Sequence, residues 1–109
     1  MKALLLNSLA DLSKNPTPLS LGDLPVPRPA PGEVLLQVAA CGVCHTQLGE
    51  IEGRTPPARY PMVLGHQVVG RVVDRGQGAE RFAPGTRVGV AWIFSACGKC
   101  EFCLTGREN

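Results

Sequence analysis

A small, mainly β domain folded as a barrel is what this sequence predicts. Thirteen glycines and ten prolines cut its 109 residues into short apolar runs. No stretch carries a long 3.6-residue stripe, and several of the runs are rich in β-branched residues. At this length one domain buries roughly two-thirds of the surface its unfolded chain exposes, so a core forms without disulfides.

Residues 1–7 predict the first strand. Leu4, Leu5 and Leu6 start an apolar run, but Asn7, Ser8 and Asp11 end it before the apolar region of an export signal develops. Pro25, Pro27, Pro29 and Pro31 follow. Each proline fixes its own φ and pushes its predecessor toward extended backbone, so this stretch reads as a turn-rich linker. Residues 33–40 are the clearest strand, with Val34, Leu36 and Val38 on one face and Leu35 and Ala39 making the other apolar too. Such a strand is expected to be buried. Residues 44–52 are the one segment with the length for a helix, beginning where the chain leaves that strand. Residues 68–74 and 86–92 repeat the β-branched pattern, separated by Gly76, Gly78 and Pro84 as turn residues. Three or more strands in this order predict the barrel.

Charge and composition exclude several classes. Eleven basic against nine acidic residues give a net charge of +2, and with no basic run no nucleic-acid surface is expected. No apolar run approaches the roughly eighteen residues of a membrane span. Without an export signal the expected compartment is the reducing cytoplasm, where clustered cysteines favour metal over disulfide, as an odd count of five also suggests. Gly76-Gln77-Gly78 follows a strand, but Arg81 stands where a dinucleotide-binding loop needs its third glycine. It reads as a two-glycine turn.

The chemistry resides in cysteine and histidine. Cys97, Cys100 and Cys103 stand at Cys-x-x-Cys-x-x-Cys spacing, in which two-residue spacers let successive thiolates turn toward one point, as in a tetrahedral four-sulfur zinc site. The same spacing opens the bacterial ferredoxin run and so leaves an iron–sulfur electron carrier as an alternative, although Arg107 occupies the position of its fourth cysteine. A second group is Cys41, Cys44 and His45, with His66 downstream. Cys41 would lie on the buried strand and is expected to be an inert thiol.

Taken together, Cys41-Gly42-Val43-Cys44-His45-Thr46, Gly65-His66-Gln67, Gly85-Thr86-Arg87-Val88, the three spaced cysteines and Gly106-Arg107-Glu108-Asn109 resemble the zinc-dependent alcohol dehydrogenases of the medium-chain dehydrogenase family. The resemblance spans essentially the whole chain. It implies a GroES-like, partly open β-barrel over residues 1–94, with a short helix and a Cys-rich zinc lobe over residues 95–109. That is the amino-terminal catalytic half of an enzyme whose nicotinamide-binding Rossmann domain would follow. Cys44 and His66 match two ligands of the catalytic zinc, whose third protein ligand would lie beyond residue 109. Cys97, Cys100 and Cys103 match three of the four structural-zinc ligands, with the fourth expected at position 111, so both sites would be incomplete within these residues.

The implied reaction is oxidation of a small alcohol to an aldehyde or ketone with hydride transfer to NAD or NADP, the zinc stabilising the alkoxide. Thr46 matches the hydroxyl of a proton relay, His45 the basic position that meets the cofactor pyrophosphate, and Trp92 an aromatic of the substrate pocket. The isolated chain is expected to be inactive, and the full-length protein to be a homodimer or homotetramer. Other roles stay open at this point: a helix cap for Thr46, a plain exposed side chain for His45, core packing for Trp92, and a non-catalytic GroES-like scaffold for the whole. Three positions depart from the family pattern. Gln47 and Gln67 replace carboxylates near the catalytic zinc, and Gly49 replaces a relay histidine. Gln47 is expected to accept the hydrogen bond of a ligating imidazole through its carbonyl.

Overall fold

A computed structural model describes residues 1–93 and 95–108. Its elements run β1 (Lys2–Leu6), β2 (Leu19–Asp23), β3 (Val34–Gly42), α1 (His45–Glu52), β4 (Gln67–Arg75), β5 (Arg87–Val90) and α2 (Glu101–Leu104). The predicted strands and the helix are all present. β2 was not foreseen: Leu19 and Leu21 alternate with Ser20, but Pro16, Pro18 and Gly22 interrupt the period-two signal.

β1 and β2 form an antiparallel ribbon registered from Lys2 against Asp23 to Leu6 against Leu19. β3, β4 and β5 form a separate antiparallel sheet in that order. One reciprocal bridge joins β1 to the segment before β4, Leu6 N–H to Met62 O at 2.8 Å and Met62 N–H to Leu6 O at 2.9 Å. The fold is thus mainly β and open, two linked sheets and not a closed barrel. Closure would need ladder bonds on both sides of every strand.

The buried hydrophobic side chains are Leu5, Leu6, Ile51, Val72 and Ala79. The radius of gyration is 15.9 Å, against about 13 Å for a compact domain of this length. The open shape corrects the expectation of a doubly buried β3: Val34, Leu35 and Leu36 are half-buried, whereas Gln37 through Gly42 are exposed. An apolar strand buries only what a neighbouring layer covers.

The turn after β4 is the expected glycine turn. Gly76 lies so close to Ala30 that a Cβ there would collide with the Ala30 carbonyl oxygen at 1.8 Å. Gly76 N–H bonds Glu33 O at 2.9 Å, and Gly32 N–H bonds Gln77 O at 2.8 Å. These contacts join the proline-rich linker to the β4–β5 turn.

Candidate functional site

The site begins at the N-terminus of α1. Cys44 is the helix N-cap, with extended φ −125° and ψ 174°. Three residues later Gln47 folds back, and its Oε1 accepts the Cys44 backbone N–H at 2.7 Å. This is the reciprocal half of a capping box, satisfying a donor that the start of a helix leaves without a partner. Gln47 is 6% exposed, the buried polar residue of the described core. The cap is therefore Cys44 and not Thr46, which sits in the first turn with its exposed neighbour His45.

His66 arrives from the opposite side. Gly65 precedes it at φ +119°, and a Cβ at that position would stand 2.6 Å from Cys41 Sγ. Only glycine combines that backbone with so close an approach. The turn carries half-buried His66 into the site just before β4, placing Nε2 3.3 Å from Cys44 Sγ and Nδ1 3.2 Å from Gln47 Nε2. Cys44, Gln47 and His66 thus form a closed triangle, one edge of which is the Cys44 backbone N–H.

Cys44 and His66 fit a shared metal. Zinc with sulfur at 2.3 Å and imidazole nitrogen at 2.0–2.1 Å in tetrahedral geometry sets those atoms about 3.5 Å apart, close to the 3.3 Å found. Hydrogen bonds from the Thr46 hydroxyl and backbone N–H, with a smaller contribution from His66, hold the Cys44 thiol below its ordinary range. That favours the thiolate a metal needs.

A cavity of ≈ 570 Å³ opens on the His66 side of this pair, lined by His66, Val68, Val90, Trp92 and Ile93 among others. Trp92 is 61% exposed, so it is a cavity wall and not core. A second cavity of ≈ 320 Å³ lies on the far side of Gly65, lined by Cys41, Gln47 and apolar side chains from β1, α1 and the segment before Gly65. Cys41 is exposed, which corrects the expectation of a buried thiol. Its end of β3 borders that second cavity and is not packed under a covering layer.

The Gln47 carbonyl, expected on the imidazole, is taken by Cys44 N–H, and the amide nitrogen faces His66 instead. Gln67 opens β4 opposite Gly42, its side chain lying over that glycine. Among the described residues it makes no hydrogen bond to Cys44 or His66. Gly49 is buried, and a Cβ there would sit 3.2 Å from Thr55 Oγ1, which leaves little room for the relay histidine. Glu50 escaped sequence reasoning: its Oε2 is buried without a hydrogen-bond partner, one helical turn after Thr46. No sequence signal marks it.

The second cluster is local. Cys97, Cys100 and Cys103 bring their sulfurs within 4.8 Å of one another, with Cys97–Cys103 at 3.7 Å and Cys100–Cys103 at 3.5 Å. Sulfurs of a tetrahedral zinc site lie about 3.8 Å apart, so this donor set also fits the metal. The backbone N–H groups of Lys99 and Cys100, then the neighbouring thiols, hold the Cys97 thiol down to about 7. Cys103 is pushed up, first by Cys100.

Arg107, which replaces a ferredoxin cysteine, bonds Glu101 Oε1 at 2.8 Å and Thr105 Oγ1 at 2.9 Å, and stacks on Phe102 5.3 Å from the ring centroid. It folds the segment after α2 back onto that helix. Phe94 and Asn109, the ends of the two predicted segments, lie outside the described residues.

Comparison with known proteins extends these observations. The family model of the alcohol dehydrogenase GroES-like domain matches residues 30–109. An alcohol dehydrogenase of Geobacillus stearothermophilus is 44% identical over 92 residues, covering 84% of this chain and 27% of that protein. A crystal structure of an NAD-dependent alcohol dehydrogenase superposes with a TM-score of 0.84 at 36% identity, covering 100% of this chain and 31% of that one. The cobalt- and zinc-bound thermostable alcohol dehydrogenase of Pyrobaculum aerophilum gives 0.86 at 30% identity, covering 99% and 31%. The chain spans less than a third of the length of each.

Proposed function

The chain belongs to the alcohol dehydrogenase GroES-like domain family, and we propose that it forms the metal-binding catalytic half of a zinc-dependent, NAD- or NADP-linked alcohol dehydrogenase. The observation that carries this is the 3.3 Å approach of Cys44 Sγ to His66 Nε2, with His66 itself lining a cavity walled by Trp92. Sulfur and imidazole donors from separate elements meet where a small molecule can enter.

Cys44 and His66 are the ligands for a catalytic zinc, and Cys97, Cys100 and Cys103 those for a structural one. Bound at the first site, the metal supplies Lewis-acid chemistry to the oxygen of an alcohol or aldehyde. The chain's own residues do the rest. Val68, Val90, Trp92 and Ile93 give the substrate an apolar wall that holds its carbon skeleton and excludes water. Thr46, exposed in the first turn of α1, takes the proton of the substrate hydroxyl onward. With Gly49 in place of a histidine, that proton would pass to solvent or to a hydroxyl of a bound cofactor. His45 would face the diphosphate of a bound cofactor, while Gln47 beside His66 and Gln67 next to it in sequence add no charge near the metal site.

The barrel covers residues 1–94 and the zinc lobe residues 95–109. The nicotinamide-binding fold is supplied outside them. The protein acts on small molecules as a cytoplasmic homodimer or homotetramer. No helix of the described residues is long and apolar enough to cross a membrane.

Elemental analysis of the full-length gene product, with alcohol-dependent reduction of NAD and NADP, tests the proposal. Zinc with turnover is expected. A brown, iron-containing protein, or zinc without turnover on any primary or secondary alcohol, overturns it.

A further inference from the structure

Both ends of the Gln47 amide are committed. The backbone N–H of Cys44 can only donate, so the atom 2.7 Å from it must be the amide oxygen. The amide nitrogen, also only a donor, is thereby aimed at His66 Nδ1 at 3.2 Å. Nδ1 must accept, and in a neutral imidazole the proton then resides on Nε2. Nε2–H in turn points at Cys44 Sγ, 3.3 Å away. Cys44 N–H, one amide N–H and Nε2–H thus each have an acceptor.

A zinc shared with Cys44 needs the opposite tautomer. The metal would take the Nε2 lone pair, the imidazole proton would move to Nδ1, and Nδ1–H would face the amide NH₂. Turning the amide over gives Nδ1–H an oxygen but sets NH₂ against Cys44 N–H. In either orientation the amide sets its nitrogen against one of the two donors. Burial at 6% exposure leaves little water to rescue the loser, and an unmade buried hydrogen bond is costly. A carboxylate in the same place accepts from both at once.

We infer that Gln47 is a positioning residue that holds His66 in the tautomer unable to ligate zinc through Nε2, so that metal loading turns the amide over and sacrifices one hydrogen bond. This rests on the assignment of Cys44 and His66 as zinc ligands. The site consequently binds zinc more weakly, and exchanges it more readily, than a carboxylate would allow. No proton is gained or lost by the ring; it only changes nitrogen.

The test is nitrogen NMR of His66 in the full-length protein, metal-free and then titrated with zinc against a competing chelator. Metal-free His66 is expected as the Nε2–H tautomer, changing to Nδ1–H with metal on Nε2. Gln47→Glu is expected to tighten zinc at this site about 10- to 100-fold, the usual span for partners of a ligating histidine. Gln47→Met, which cannot donate and accepts only weakly, should bind zinc at least as tightly as wild type, whereas a merely structural role predicts weaker binding. An Nδ1–H tautomer in the metal-free protein overturns the inference even if neither variant folds, as does Gln47→Glu affinity within about twofold of wild type. Nitrogen shifts that ignore saturating zinc overturn the ligand assignment itself, a different failure, since the metal-free tautomer is read independently.

Discussion

The two cysteine sites are built on opposite plans. Cys44 and His66 lie 22 residues apart and meet because a helix cap and a glycine turn deliver them from different elements, with a buried amide spanning both. Cys97, Cys100 and Cys103 converge within one short exposed segment, steered by two-residue spacers and local N–H groups. A site assembled by tertiary structure can be tuned by its neighbours and opened to a cavity. One assembled by local sequence is a self-contained staple.

The sharpest way to break this comparison is to remove a donor from each site. In the full-length enzyme His66→Ala is expected to lower kcat/KM by about 10³-fold, the several kcal/mol a Lewis acid supplies, with loss of one metal equivalent. Steady-state kinetics and metal analysis read both, and retained activity would end the assignment. Cys100→Ala should instead leave kcat/KM of the folded protein nearly unchanged while releasing the lobe metal and costing a few kcal/mol in denaturant unfolding. Equal losses of activity at the two sites would show that the division of labour is wrong.

Smaller effects sharpen the contrast. Gly65→Ala places a Cβ 2.6 Å from Cys41 Sγ at φ +119° and should destabilise by about 1–3 kcal/mol. It should weaken zinc at Cys44 and His66 without touching the lobe. Adding Cys41→Ala relieves the clash but not the backbone strain, so stability should return only in part.

The smallest effect is one of rate. In metal-free protein, alkylation of Cys97 should rise with pH through a midpoint of about 7, as its thiolate forms below the ordinary cysteine range. Zinc should suppress it. Because that pKa is lowered by folding, the thiolate's contribution to stability is present at alkaline pH and lost as pH falls through about 7. Mass spectrometry after timed labelling measures the profile; a midpoint near 9 would show that the local N–H groups do not hold the thiolate.

Much of this molecule was legible in its residues. The strands over 33–40 and 68–74 were marked by β-branched runs, the helix by its position after β3, and the lobe by its spacing. β2 was hidden because prolines and a glycine interrupted its alternation. The exposure of Cys41 and the outer half of β3 was illegible, since an apolar pattern shows what a strand could bury and not whether a layer exists to bury it. Trp92 likewise needed the neighbouring cavity to distinguish wall from core.

Sequence by itself determined the mainly β class, the family motifs and the three-thiol cluster, because each depends on periodicity or on spacers short enough to fix geometry locally. Only the tertiary structure decided that Cys44, not Thr46, caps α1, that the Gln47 oxygen is claimed by a backbone N–H, and that its nitrogen therefore meets His66. Hydrogen-bond direction depends on which donors and acceptors are brought face to face, and β4 brings His66 to Gln47 from 19 residues away.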